Sequence, residues 1–163
     1  MIAQTLLPEL DHELANTRLM LERIPDDKAT FKPHEKSSEM GKLALHISTL
    51  PNWAAMALST TEFDVNPEVP VPRPSFTTTA ALLERFDQHA KAAHDAVAAA
   101  TDEQLMVPWT LLNRGTTVFT MPRAGVLRSF VLNHLIHHRG QLSVYLRLND
   151  VKLPPIYGPT ADM

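Results

Sequence analysis

Residues 133–141 read NHLIHHRGQ and lie inside a longer stretch, residues 124–148, whose apolar positions recur every three or four residues. This spacing predicts one long α-helix near the C-terminal end of the chain. On that helix His134 and His138 are one turn apart and fall on the apolar side. Two imidazoles in this relation can bind one metal ion together, so the stretch predicts part of a metal site. His137 points to the flank of the apolar side and is the weaker candidate.

A metal site of this kind needs a third protein ligand, and His46 is the best candidate elsewhere in the chain. Periodicity places His46 on the apolar side of a second helix, beside Leu43 and Ile47. The alternative is that the histidines are hydrogen-bonded core residues. Each buried neutral imidazole brings a donor and an acceptor that need partners, so three of them on inner faces favour a metal site. His89 and His94, on the third helix, are interpreted as surface or flanking residues.

Four amphipathic patterns, at residues 3–24, 37–59, 79–100 and 124–148, predict four helices. Ser37 or Ser38 is the expected N-cap of the second helix, and Pro51 should bend it.

Two other segments connect these helices. Residues 60–79 are rich in proline and predict an extended crossover, whereas residues 107–120, with a turn at Gly115, predict a small hairpin. Residues 101–104 are interpreted as a turn, and the tail from Leu153 to Met163 as irregular. The sequence therefore predicts an all-α fold, a four-helix bundle with a proline-rich crossover between helices two and three and a small hairpin before helix four.

Composition limits the classes of function. The chain has 163 residues, 44% of them hydrophobic, and a net charge of −3, which predicts one domain over residues 1–163 and no attraction to nucleic acid or to an anionic membrane. It contains no cysteine, so thiol chemistry would require an external thiol. The N-terminus lacks the pattern of a signal peptide and no stretch is apolar enough to span a bilayer, so we expect a cytoplasmic protein.

Three blocks carry a family resemblance: PHEKS at residues 33–37, LH at 45–46 followed by LPNW at 50–53, and HLIHHRGQL at 134–142. In this order they resemble the DinB (YfiT-like) family of metalloenzymes, along nearly the whole chain. The resemblance implies a four-helix bundle in which His46, His134 and His138 bind a divalent metal ion. It also implies a homodimer and thiol-dependent chemistry, as in bacillithiol S-transferases and mycothiol-dependent maleylpyruvate isomerase.

Three imidazoles leave at least one coordination position open, which is typical of a catalytic metal. Zinc is the expected ion, and nickel, iron and manganese are alternatives because imidazole discriminates weakly among them. The general acid or base is unassigned. Tyr145 is a candidate, although a core tyrosine bonded to the backbone is the favoured interpretation. Arg139 and Gln141 are expected to support the ligands or to lie on the helix surface, with Gln141 nearer the histidines.

Three functions fit this pattern. The first is a metal-dependent enzyme, a thiol S-transferase or isomerase that acts on a small electrophile with a low-molecular-weight thiol. The second is a metal-dependent hydrolase that uses metal-bound hydroxide. The third is a non-catalytic stress protein that binds a metal ion or a small molecule. A requirement for a thiol during turnover separates the first from the second.

Overall fold

Helices form most of the fold, seen here in a computed structural model that describes residues 1–72 and 74–162. The α-helices are α1 Ile2–Leu21, α2 Met40–Thr49, α3 Asn52–Ser59, α4 Thr79–Ala99, α5 Asp102–Met106, α6 Arg123–Gly125 and α7 Asn133–Arg147. The strands are β1 Glu62–Asp64, β2 Pro108–Asn113 and β3 Thr116–Pro122. A 3₁₀ turn, Asp26–Lys28, follows α1, and the predicted positions of the long helices are confirmed to within a few residues.

The long C-terminal helix consists of α6, a π-helical segment Val126–Leu132, and α7. The junction residues keep right-handed helical dihedral angles, so the backbone does not break between the three parts. A π-helical turn contains an extra residue, which changes the direction of the side chains that follow it, and such turns occur frequently at functional sites. His134 and His138 lie just after this segment.

Pro51 separates α2 from α3, where the sequence predicts a bend within a single helix. It cannot donate a backbone hydrogen bond, and α2 ends at Thr49 before α3 begins at Asn52. The predicted start of α2 is wrong, because its N-cap is Glu39 rather than Ser37 or Ser38. The first amide groups are satisfied by the preceding loop instead: those of Met40 and Gly41 donate to loop carbonyls at 2.9 and 2.8 Å.

The core lies between the helices. α4 packs against α1, α2 and α3, while α7 packs against α1 and α2. The largest fully buried side chains include Phe86 from α4 and Leu135, Leu142 and Leu146 from α7. A second, smaller cluster contains Ala57, Trp109, Leu111 and Val126, and it attaches the strands to α3 and the π-helical segment.

The all-α prediction requires a correction, because the strands form a three-stranded sheet in the order β1-β2-β3. The predicted hairpin is β2 and β3, paired antiparallel, with Arg114 and Gly115 at positive φ in its turn. The sequence did not indicate β1, which pairs parallel to β2 from within the proline-rich crossover. Three residues are too few to show a strand period, and β1 is stabilised by contacts distant in sequence: the Asp64 carboxylate accepts from the amides of Arg114 and Gly115 at 3.0 and 2.7 Å.

Residues 101–104, interpreted as a turn, instead begin α5, which Thr101 and Gln104 start with a reciprocal capping box. Among the described residues, no helix combines the length and the hydropathy that a bilayer crossing demands.

Candidate metal centre

The three histidines chosen from the sequence meet in space. His46 comes from α2 and His134 and His138 from α7, and one ring nitrogen of each lies within 4.8 Å of the other two. The Nε2 atoms of His46 and His134 are 3.2 Å apart. A tetrahedral ion bound 2.0–2.1 Å from two imidazole nitrogens would hold them about 3.4 Å apart. The donor set and its spacing therefore fit one divalent ion.

The cluster lies at the edge of the helices rather than deep in the core. The prediction that His46 faces inward is wrong: its side chain is exposed, and His134 and His138 are half-buried. The buried side of α2 is formed by Met40, Leu43, Ala44 and Ile47, and His46 lies beside this side. The site is consequently open to solvent next to His46, which gives a small molecule access to it.

Two contacts orient the rings of α7. Gln141, one turn after His138, accepts a hydrogen bond from Nδ1–H of His138 at 2.7 Å. That bond leaves the Nε2 lone pair of His138 available to a metal ion, as in many metal sites where a neighbouring group fixes the tautomer. The ring of His134 contacts that of Phe130 at 5.4 Å between centroids, and the backbone carbonyl of Phe130 partly offsets the lowering of the pKa of His134.

Burial sets the charge state of these two histidines. It lowers the pKa of His134 and of His138, because removing the ring from water disfavours the protonated form. Nearby histidines lower both pKa values further. Among the residues that the structure describes, the candidate ligand group holds no carboxylate that would favour protonation. Both rings are therefore kept in the neutral form that a metal ion requires.

This electrostatic arrangement predicts that the metal-free protein loses stability as the pH falls from about 7.5 to about 5.5. The unfolded chain takes up protons near the ordinary histidine pKa of about 6.5, whereas the folded rings resist protonation. The free energy of unfolding should therefore be highest above that pKa and decline as the pH passes below it. Urea titrations at several pH values measure the slope.

The double variant His134→Gln/His138→Gln is the control for this prediction, and its slope should be smaller than that of the wild type. Some slope should remain, because burial also lowers the pKa of His89. Identical slopes in the two proteins would contradict the assignment.

The remaining sequence candidates lie outside the cluster. His137 is exposed, and its ring makes an edge-to-face contact with that of His138 at 4.9 Å between centroids. Tyr145 donates from its hydroxyl to the carbonyl of Ser38 at 3.0 Å, which confirms the backbone-bonding interpretation. His89 is half-buried between helices and donates to the carbonyl of Ser48 at 2.7 Å, whereas His94 pairs with Asp11 on the surface.

Arg139 has a role that sequence reasoning missed. It is 3% exposed and forms an ion pair at 2.6 Å with Glu13 of α1, itself 5% exposed. The Tyr157 hydroxyl joins them, accepting from Arg139 at 2.6 Å and lying 2.8 Å from both carboxylate oxygens of Glu13. Burial of the hydroxyl and its hydrogen bond to Glu13 raise the pKa of Tyr157, although the residue as a whole is 67% exposed. The network joins α7, at the residue after His138, to α1 and to the C-terminal segment.

Comparisons with known proteins agree with this fold. The model of the DinB family matches residues 2–162. The uncharacterised protein YrdA of Bacillus subtilis is 25% identical over 159 residues, which are 96% of this chain and 88% of that protein. A solved DinB-like protein from B. subtilis (YjoA) superposes with a TM-score of 0.71 at 19% identity, covering 96% of this chain and 99% of that one. Another, from Bacillus cereus, superposes with a TM-score of 0.69 at 22% identity, covering 94% and 97%. At these identities the structures show the shared fold.

Proposed function

Because the chain belongs to the DinB family, we propose that His46, His134 and His138 bind one divalent metal ion and that the protein uses it in chemistry on a small molecule. The observation that carries this proposal is the convergence of three imidazoles from two helices, with ring nitrogens within 4.8 Å of one another. Zinc is the expected ion, and nickel, iron or manganese would suit the same ligands. Three protein ligands leave a position for a reactant, as in catalytic rather than structural sites.

The reaction we propose is thiol-dependent S-transfer or isomerisation. The chain contains no cysteine, so the thiol is a low-molecular-weight cosubstrate. When bound, a divalent ion supplies a Lewis acid that favours the ionised form of a thiol. In S-transfer a sulfur–carbon bond forms, the bond from carbon to the leaving group breaks, and the thiol proton is released to solvent. The exposed side of the site at His46 gives that proton and both reactants a path.

Other features of the chain orient the ligand histidines and keep them uncharged. Gln141 holds His138 in one tautomer, and burial keeps His134 and His138 neutral near pH 7. The surrounding architecture we propose is a single cytoplasmic domain over residues 1–163, a four-helix bundle that forms a homodimer and binds neither nucleic acid nor a membrane. Its support is the packing of α1, α2, α4 and α7, the family membership and the low net charge.

The test is a turnover assay on zinc-loaded protein, with cysteine as the thiol and 1-chloro-2,4-dinitrobenzene as the electrophile. Thioether formation should exceed that with the His138→Ala variant by at least about tenfold, since removing one ligand empties the site. The His137→Ala variant is the matched control and should retain activity.

The same protein without thiol, given 4-nitrophenyl acetate, tests the alternative of a hydrolase. Hydrolysis without any thiol conjugation would support that alternative. A zinc-loaded protein that catalyses neither reaction but is thermally stabilised by zinc would be a binding protein, and the proposed activity would be wrong.

A further inference from the structure

A row of aromatic rings extends from the histidine cluster. The ring of Phe130 lies 5.4 Å from that of His134, and the ring of Trp53 lies 5.0 Å from Phe130. Phe63 continues the row, 5.2 Å from Trp53. We call Trp53, Phe63 and Phe130 the aromatic wall. Its ring contacts are continuous with a proposed metal ligand, and Phe130 is the ring of the wall that contacts that ligand.

Each ring is placed by a different irregularity of the fold. Phe130 belongs to the π-helical segment, one turn before His134. Trp53 follows the break at Pro51, and Phe63 lies in β1, the strand that the sequence did not indicate. Of these features, the π-helical segment is of a kind that occurs frequently at functional sites.

The exposure of the wall argues for a ligand. Phe63 is 37% exposed, and Trp53 and Phe130 are half-buried. At the inner end, Phe130 contacts Phe119 at 5.4 Å, which packs against the fully buried Trp109. The row is therefore fixed to the smaller core cluster at one end and partly open to solvent at the other. Packing against the core does not by itself explain why the ring of Phe63 is partly exposed to solvent.

The acidic side chains of β1 point away from the wall. In a strand, neighbouring side chains point to opposite faces, so Glu62 and Asp64 lie on the face opposite Phe63. The Asp64 carboxylate already accepts hydrogen bonds from the hairpin turn. Aromatic faces bind best to other rings and to large apolar groups, through burial of surface and edge-to-face contacts.

We propose that the aromatic wall binds an aromatic or comparably large apolar part of the substrate, with Phe63 as a specificity-determining residue. This inference rests on the proposed function, because the wall adjoins the proposed metal centre. It narrows the substrate class to a small molecule that presents its reactive group to the metal centre and a ring to Trp53, Phe63 and Phe130.

Two hydroxamates test the wall separately from the metal site. Benzohydroxamate and acetohydroxamate share a metal-binding group and differ by the ring. Calorimetric titration of zinc-loaded protein should show benzohydroxamate binding roughly tenfold more tightly, the size of effect that partial burial of one ring gives. The ratio should fall in the Phe63→Leu variant, while Trp53 and Phe130 keep part of the preference for the ring. The matched control is Phe31→Leu, since the ring of Phe31 contacts Tyr145 instead of the wall, and it should keep the wild-type ratio.

The two tryptophans of the chain give an independent readout. In ¹H–¹⁵N spectra, benzohydroxamate should shift the indole resonance of Trp53 and leave that of buried Trp109, which donates to Thr60, in place. Equal affinity for both hydroxamates, with no shift of the Trp53 resonance, would contradict the proposed binding role of the aromatic wall. The proposal of a metal centre would not be affected by that result.

The same titration of metal-free protein separates the two proposals. If the protein takes up no zinc, the proposed function is wrong. The binding role of the aromatic wall is then tested by the titration of metal-free protein alone. A shift selective for Trp53, at higher ligand concentration, would support the wall. No selective shift would overturn it.

Discussion

Replacing His138 with alanine is expected to abolish stoichiometric metal binding, whereas replacing His137 with alanine should leave it unchanged. The two residues are adjacent, but only His138 contributes a nitrogen to the three-histidine cluster. Loss of a direct ligand should weaken metal binding more than about 100-fold, beyond the effect of losing a residue that merely orients a ligand. Elemental analysis after dialysis measures the result: about one ion per chain in the wild type and in His137→Ala, and none in His138→Ala.

Thermal unfolding gives a second measurement of the same prediction. At a metal concentration about 1,000 times its Kd, binding to the folded state adds about 4 kcal/mol to the free energy of unfolding. His138→Ala should lose this increment and yet unfold cooperatively without metal, because its side chain is half-buried rather than part of the apolar core. A His138→Ala protein that bound metal normally, with a His137→Ala protein that did not, would reverse the assignment. A wild-type protein that holds no metal after reconstitution would contradict both the proposed metal centre and the proposed enzymatic activity.

The sequence predicted the long helices and the pairing of His134 with His138 because both depend on local periodicity. A helical repeat over residues 124–148 is long enough to identify the helix, and two histidines four residues apart must share a side of it. The hairpin followed from its turn residues for the same reason. These features require no knowledge of what packs against the segment.

The predictions that failed depend on partners distant in sequence. β1 exists because β2 pairs with it from about 50 residues away, as the register of Phe63 with Leu111 shows. The exposed position of His46 depends on which side of α2 the other helices cover. Periodicity alone assigned His46 to the inner side, since apolar residues adjoin it in the sequence.

Arg139 shows that a signal can be present and still be overlooked. It lies at helical spacing from Leu135, Leu142 and Leu146, which are all fully buried. Glu13 likewise lies between Leu10 and Thr17 on the buried side of α1. Opposite charges on the apolar sides of two helices predict a buried ion pair, because an isolated buried charge is too costly to keep. The apolar neighbours of each residue, compared between helices, could have revealed the pair.

Replacing one member of this buried ion pair is expected to cause a large loss of stability. Arg139→Met should lower the free energy of unfolding by about 3–5 kcal/mol, because it leaves the Glu13 carboxylate buried without its cation. Glu13→Leu should cost a similar amount by leaving the guanidinium unpaired. Urea unfolding of both variants, followed by far-ultraviolet circular dichroism, measures the two losses.

The double variant Glu13→Leu/Arg139→Met shows whether the two losses of stability come from one shared interaction. Removing both charges leaves the Glu13 carbonyl still bonded to the Thr17 hydroxyl at 2.7 Å, and the Tyr157 hydroxyl, on a largely exposed side chain, can turn to water. The double variant should therefore recover most of the stability, with a coupling free energy of several kcal/mol. Losses that simply add would show two independent sites. Losses below about 1 kcal/mol would show that water screens the pair as it screens a surface ion pair.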